Sequence, residues 1–341
     1  MNLTDVRVYL PVDHGYASAA LSAGVAIPDS FTWQGKPFIE SGTRNQNTCG
    51  SCWAFSLATV LGDRYAIKYK LNAPPKPSVV WLISATNESD VTGGHVSCLG
   101  GSPQLAAKWI ENNYLLSENC WPYSLLNTHP QNPPNNLMKL GVDCCFNCCG
   151  SSLAAEKFYI VKGSTKPLVV TDPSSNAVNV AATIALIQTE IMTNGPVSAS
   201  FVVYGDFVKY WMNDAAQGKI YVADPSTGVQ GGHAVALVGW GIENNVRYWI
   251  MRNSWGDTGD HGHCKMAMYT SISPSQATGI DVPIQSNGQW AGSALAFQAN
   301  AVGEPVRSPS DNSSTSITSS WGTWILISAV ILIAAVVYWF A

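Results

Sequence analysis

Ten residues, QNTCGSCWAF from Gln46 to Phe55, are arranged to make a nucleophile of a thiol. The stretch after Cys52, WAFSLATVLGDRYAIKYK, has helix-like apolar spacing and no internal proline, so the sulfur is expected at a helix start. There it would meet unpaired N–H groups and the positive end of the helix dipole, a setting that favours thiolate over thiol. Gln46, six residues upstream, could aim its carboxamide N–H at the oxyanion formed when a thiolate attacks a carbonyl. A base is available in His233, within GGHAVALVGWG, where two glycines lead into an apolar run that reads as a buried strand starting beside a cleft. An orienting group is available in Asn253, within YWIMRNSWG, at the end of a second strand-like run. An Asn amide oxygen accepting from one ring nitrogen fixes the tautomer and leaves the other nitrogen for the sulfur, and Trp255 could shield that bond from water. Singly each has an ordinary structural explanation, a strand-edge histidine or an Asn that makes a turn. Together they describe a nucleophile, a base and an orienter.

The elements that must hold these groups divide the chain in two. A helix-rich first half follows Cys52, with SPQLAAKWIEN as a further helix opened by Ser102 and Pro103. VNVAATIALIQTEIMT is also helical and stops at Gly195-Pro196, after which the strand-like runs VSASFVVY, HAVALVGW, VRYWIMR and CKMAMY dominate. With 341 residues, 46% hydrophobic and 12% charged, the chain can bury a large core and hold two packed subdomains. A formal charge of −4 leaves no basic face for nucleic acid. No internal repeat, glycine-rich phosphate loop or helical metal motif is present in the sequence, and no cofactor is expected.

The segment CGSCW around Cys52 carries a family signature, and IPDSFTW from Ile27, NCWPYS, NGPVSASFVVYGDF and GGHAVALVGWGIEN support the same match. On these motifs the chain resembles the papain family of cysteine peptidases, and within it the cathepsin B-like members, from about Ile27 to about Pro283. The resemblance implies an α+β, papain-like fold of two subdomains. A helical half carries Cys52, a β-barrel-like half carries His233 and Asn253, and the cleft lies between them. It further implies Cys52 as nucleophile, His233 as general acid and base, Asn253 as orienter, and Gln46 with the Cys52 backbone N–H as oxyanion hole. Gly100 and Gly101, after Cys98-Leu99, match the family's substrate-binding pair, where bare backbone pairs with an extended polypeptide. Trp255 joins the substrate-binding set, and Pro283 falls near the floor of the pocket for the second residue before the scissile bond, with Asp281 close by. The implied chemistry is peptide-bond hydrolysis through a thioester acyl-enzyme.

The spacing departs from the simplest members, in which histidine and asparagine follow the nucleophile by about 130 to 150 residues. Here the separations are 233 − 52 = 181 and 253 − 52 = 201, so an insertion is expected between Tyr123 and Lys157. It holds LLNTHPQNPPNN and the cluster of Cys144, Cys145, Cys148 and Cys149. In cathepsin B a loop here presents two histidines to a substrate's C-terminal carboxylate; this insertion has only His129, so endopeptidase action is expected rather than removal of C-terminal dipeptides. The stretch GDTGDHGHCKM is shorter than its cathepsin B counterpart and lacks that protein's second tryptophan. Setting Cys52 aside leaves eight of nine cysteines, compatible with up to four bridges. The resemblance implies Cys49 with Cys98, and Cys120 with Cys148 or Cys149, and assigns no partner to Cys264. The cysteine cluster could instead ligate zinc, but no second ligand pair at finger-like spacing follows it, so no metal site is assigned.

The ends have a different character. Residues 1–26 form a short extension that could act as a minimal propeptide and show no secretory pattern. Residues 285–320 read as a flexible tether rich in Ser, Asn, Gly and Ala. Residues 321–341 read as a transmembrane helix about 30 Å long, with Trp321, Trp324, Tyr338 and Trp339 at its ends. A single-pass tail anchor without a leader would face the catalytic part to the cytosol, where disulfides do not persist. A leader outside this sequence, reduced cysteines, or a virion or endomembrane setting with its own oxidation chemistry would reconcile the two, and the short extension with a tail anchor suits the virion. The rival reading is a catalytically silent, membrane-anchored structural or binding protein that keeps the protease fold. The oligomeric state is not legible.

Overall fold

The helix that starts on the reactive-thiol motif, α1 (Cys52–Tyr69), ends at Lys70, whose left-handed backbone at φ 54° turns its N–H onto the carbonyls of Ala66 and Ile67. Thirteen of its eighteen residues are buried, so it has no solvent face and must be packed on all sides. The computed structural model describes residues 26–86, 97–128, 157–175, 177–282, 284–286, 289–291 and 293–302. Around α1 lie two shorter helices. In α2 (Val79–Ala85) the Ser78 hydroxyl accepts from the Trp81 N–H at 3.0 Å. In α3 (Pro103–Ile110) Ser102 is the cap and proline takes the first helical position. Trp53, Leu57, Leu61, Val80, Leu82, Ala107 and Ile110 form the core of this half.

The second half is a sheet. Its strands are β1 (Phe31–Thr32), β2 (Leu115–Leu116), β3 (Lys157–Ile160), β4 (Lys166–Pro167), β5 (Val197–Tyr204), β6 (Ile220–Tyr221), β7 (Val229–Glu243), β8 (Val246–Arg252), β9 (His263–Ala267), β10 (Ile284–Ser286), β11 (Gln289–Ala291), β12 (Ser293–Ala296) and β13 (Ala299–Val302). Eight belong to one sheet, in the order β4, β12, β5, β7, β8, β9, β6, with β1 also on β7; β13, β3 and β2 form a second sheet and β10 with β11 a hairpin. Helix α4 (Val180–Asn194), capped by Asn179 and stopped at Gly195, leads into β5, and α5 (Phe207–Asn213) follows it.

The long strand β7 joins the two cores by its pleat. Ala236 and Val238 belong to the core around α1, whereas Val235 and Leu237 belong to the core of Trp211, Trp240, Trp249 and Met251. The fold is the mixed α+β, papain-like one expected.

Several expectations change. His233 is the fifth residue of β7, not its start, because Val229, Gly231 and Gly232 already pair with β5; β7 is irregular where Tyr204 meets Val229 and, against β8, between Leu237 and Gly239. Residues 293–302, assigned to a tether, form β12 against β5 and β13 against β3, because Leu295 and Phe297 bury their side chains in the α1 core. Cys264 is a free, buried thiol in β9, and with Cys52 also free only seven cysteines remain, so at most three bridges can form rather than four. Residues 1–25, His129, the cluster from Cys144 to Cys149, Pro283 and the apolar span 321–341 lie outside the described residues. Among the described residues no helix is long and apolar enough to cross a membrane.

Candidate active site

Cys52 is the first residue of α1, half-buried and free. Ser51, its N-cap, makes no capping bond with its side chain; that hydroxyl is spent on the Tyr123 phenol at 3.0 Å. The N–H groups of Cys52 and Trp53 are thus left for the sulfur, whereas that of Ala54 donates to the Ser51 carbonyl at 2.9 Å. Burial pushes the Cys52 thiol up from its ordinary value, against backbone hydrogen bonding from Ala234, Trp53 and Cys52 itself, which favours the thiolate. Desolvation at this site thus acts against the donors of the helix start.

Ala234 adjoins His233, so the sulfur lies against the strand that carries the imidazole. His233 Nε2 and Asn253 Oδ1 are 2.6 Å apart. Asn253 Oδ1 also accepts from the Ser254 N–H at 2.8 Å, which marks this atom as the amide oxygen and makes Nε2 the donating nitrogen. Nδ1 is the ring nitrogen left over. No hydrogen bond joins it to Cys52 in this arrangement. Burial lowers His233 to about 4, with the Asn253 bond acting the other way.

Strand register explains the pairing. Ala236 is opposite Arg252 in the antiparallel pair of β7 and β8, so continuing the count brings Trp255 opposite His233. The rings meet at 4.9 Å between centroids, and Phe201, the β5 partner of His233, closes the other side edge-on at 5.6 Å. Trp255 in turn rests on Trp211 at 5.5 Å and Phe207 at 5.8 Å.

Gln46 is fixed by the same strand end. Asn45 bridges Trp255, the Gln46 N–H donates to the Ser254 carbonyl at 2.8 Å, and the Ser254 hydroxyl donates to Gln46 Oε1 at 2.6 Å. Gln46 Nε2 donates to the Cys49 carbonyl at 2.8 Å, which leaves its second N–H for an acceptor in the cleft. Tyr123 donates to the Gln46 carbonyl at 2.9 Å. Sequence reasoning passed over Ser254 and Tyr123, although both sit inside quoted motifs, NSWG and WPYS. A hydroxyl beside a motif residue carries no sign of its partner until the chain folds.

Cys49 and Cys98 form a disulfide, with Cα atoms 4.4 Å apart, and the Gly50 N–H donates to the Cys98 carbonyl at 2.8 Å. This stitches Leu99 to Gly101 beside the thiol loop. Gly100 has φ +123°, a backbone that L side chains rarely adopt. A Cβ at Gly101 would stand 2.6 Å from the indole of the buried Trp53, so core packing requires glycine there. Cys120 is also disulfide-bonded; its expected partners, Cys148 and Cys149, lie outside the described residues. Asp281 is buried, accepting from Trp249 Nε1 at 3.1 Å and the Tyr269 N–H at 3.0 Å. Its carboxylate is therefore committed to the core. Among the described residues no group of three or more His, Cys, Asp and Glu is placed to hold a metal.

Comparison with known proteins gives a consistent picture. The model of the family described as "Papain family cysteine protease" matches residues 27–282. "Cathepsin B-like cysteine proteinase 3" of Caenorhabditis elegans is 34% identical over 239 residues, covering 67% of this chain and 57% of that protein. "Probable cysteine proteinase 024R" of Invertebrate iridescent virus 3 is 30% identical over 261 residues, covering 66% of this chain and 51% of that protein. The match thus spans little more than half the length of these relatives. Among solved structures, "proCathepsin B S9 from Trypanosoma congolense" superposes with a TM-score of 0.55 at 22% identity, covering 87% of this chain and 84% of that one, and shows the shared fold.

Proposed function

We propose that this chain, which belongs to the papain family of cysteine proteases, hydrolyses peptide bonds in polypeptides through a thioester acyl-enzyme. The observation that carries the reading is the bonded set of His233, Asn253, Ser254 and Gln46 at one strand end, with the half-buried thiol of Cys52 against the neighbouring backbone. Substrate lies extended along Gly100 and Gly101. The Sγ proton passes to the free Nδ1, and the thiolate adds to the scissile carbonyl. Gln46 Nε2 and the Cys52 N–H stabilise the oxyanion. The imidazolium, steadied by Asn253 and covered by Trp255, gives its proton to the leaving amine. Water, deprotonated by His233, then opens the thioester and restores the thiol.

The finer reading is an endopeptidase with an apolar preference near Pro283, supported by the single histidine of the insertion and by the commitment of Asp281 to Trp249. Residues 321–341 would anchor the protein in a membrane, supported by their uncharged apolar run and flanking aromatics. The catalytic domain would run from about residue 27 to the end of β13.

One experiment tests enzyme and anchor together. Membranes carrying the full chain are treated with a biotinylated epoxide that alkylates papain-type thiols, and the labelled peptide is read by mass spectrometry. The expected result is label on Cys52 alone, lost in His233→Ala and released to the soluble fraction on deletion of residues 321–341. Absence of label on folded protein would support the silent scaffold instead.

A further inference from the structure

Behind the orienting asparagine, between α1 and the adjoining ends of β7 and β8, lies a small, partly open cavity. Arg44, Ser56, Thr59, Ala236, Arg252 and Asn253 are among the residues that line it, and it suits one water-sized occupant. Three nitrogen groups on these residues are shielded from solvent and have no protein acceptor: Asn253 Nδ2, Arg252 Nε and Arg44 Nη2. Asn253 and Arg252 are 5% and 3% exposed.

The acceptors of Glu40 and Asp63 are already engaged, whereas Glu118 Oε2 is buried without a partner. The Glu40 carboxylate takes Arg44 Nε and Lys76 Nζ, each at 3.0 Å, and the Glu40 carbonyl takes Arg252 Nη1 at 3.2 Å. Asp63 takes the Glu40 N–H at 2.9 Å and Arg252 Nη2. Burial acts to raise Glu40, but Arg44 and Lys76 hold it below its ordinary value, so it is ionised. Arg44, Lys76 and Arg252 face three carboxyl groups, Glu40, Asp63 and Glu118, so the surroundings carry no formal surplus of positive charge. The unused N–H groups ask for an electron-rich atom.

We propose that this cavity binds one small hydrogen-bond acceptor, a water oxygen or a halide ion, which takes N–H from Asn253 Nδ2, Arg252 Nε and Arg44 Nη2. Its consequence is positional. The oxygen end of the Asn253 amide is held by His233 and the Ser254 N–H, and the acceptor holds the nitrogen end. With both ends fixed the amide cannot turn away from the imidazole.

The direct test is a crystal structure of the full chain grown in sodium bromide, with anomalous differences measured at the bromine edge. An anomalous peak within hydrogen-bond distance of Asn253 Nδ2 and a guanidinium identifies a halide, and ordered density without anomalous signal at the same point identifies water. Either supports the site. A cavity without density, or density out of reach of Nδ2, overturns it. A second variant, Arg44→Met, removes one donor; density there is expected to weaken, and kcat to fall on the order of tenfold with KM unchanged. Unchanged density and unchanged kcat would overturn the site as drawn. The kinetic readout rests on the proposed hydrolysis, whereas the crystallographic one is independent of it.

Discussion

The two halves of the described chain reach the same cleft by different means, and their two free thiols show the difference. In the helical half Cys52 stands at the start of α1, half-buried, with first-turn N–H groups acting on its sulfur. In the sheet half Cys264 lies within β9 at 2% exposure, where burial pushes its thiol far up and the Tyr210 hydroxyl is its hydrogen-bond partner. Desolvation raises both. Only the first has a helix end and an opening to solvent, so reactivity here is a property of placement and not of residue type. The sheet half contributes register instead: strand pairing fixes His233, Asn253 and Trp255 against one another.

The largest effect expected is the one that would erase this contrast. Cys52→Ser should lower kcat/KM on a fluorogenic peptide on the order of 10⁴-fold or more, with the circular dichroism spectrum unchanged. Cys264→Ser should alter it by no more than about threefold, as buried polar-for-thiol swaps act on stability rather than on the reacting atoms. A comparable loss in both would mean the thiols are not distinguished by placement.

The next test concerns how the halves are joined. Adjacent residues of α1 reach opposite ways: Asp63 pairs with Arg252 at the end of β8, next to Asn253, and Arg64 pairs with Glu190 of α4 at 2.7 Å. Arg64 also donates to the carbonyls of Pro196 and Phe297. Asp63→Ala leaves a buried guanidinium unmatched, so denaturant unfolding should show a loss of about 3–5 kcal/mol. Glu243→Ala, which breaks the exposed pair with Lys265, should cost no more than about 1 kcal/mol. Equal costs would mean that α1 is not pinned to β8 by charge.

The smallest effect sharpens the sheet half alone. Burial, then the charge of Arg252, lowers His263 to about 4, while in the unfolded chain it titrates near its ordinary 6.5. The unfolded state therefore binds the proton first as pH falls. The contribution of neutral His263 is full above pH 6.5 and is lost through the window down to about 4. Between pH 7 and 5 the wild type should lose about 2 kcal/mol more stability than His263→Gln. A parallel loss in the variant would show that another group governs acid sensitivity.

What is legible in the sequence follows from how local each cause is. The runs VSASFVVY and VRYWIMR coincide with β5 and β8, because strand alternation and the bounding Gly-Pro, Asn-Asn and Asn-Ser signals are local. The same holds for the Ser102-Pro103 start of α3 and the Gly195 stop of α4. The types and order of Gln46, Cys52, His233 and Asn253 are also visible without a structure. Their closeness is not, since the bond from Ser254 to Gln46 spans 208 residues. The strands from 293 to 302 hide in a stretch of Ser, Ala, Gln and Asn, where Leu295 and Phe297 are the only large apolar anchors and β-propensity is weak. The charge states of Cys52 and His233 depend on desolvation by residues far along the chain, which no local motif encodes.

The Cys49–Cys98 bridge sets a condition on where such a chemistry can run. Three residues apart, one sulfur must stay reduced to react and another must stay oxidised to keep the bare glycine strip beside it. A strong dithiol reductant threatens the bridge while it protects the Cys52 thiol, and a strong oxidant preserves the bridge while it oxidises that thiol. The working range is a window of thiol–disulfide poise bounded on both sides, set by the exchange equilibria of the surroundings. Redox poise thus acts on this chain as a two-sided gate.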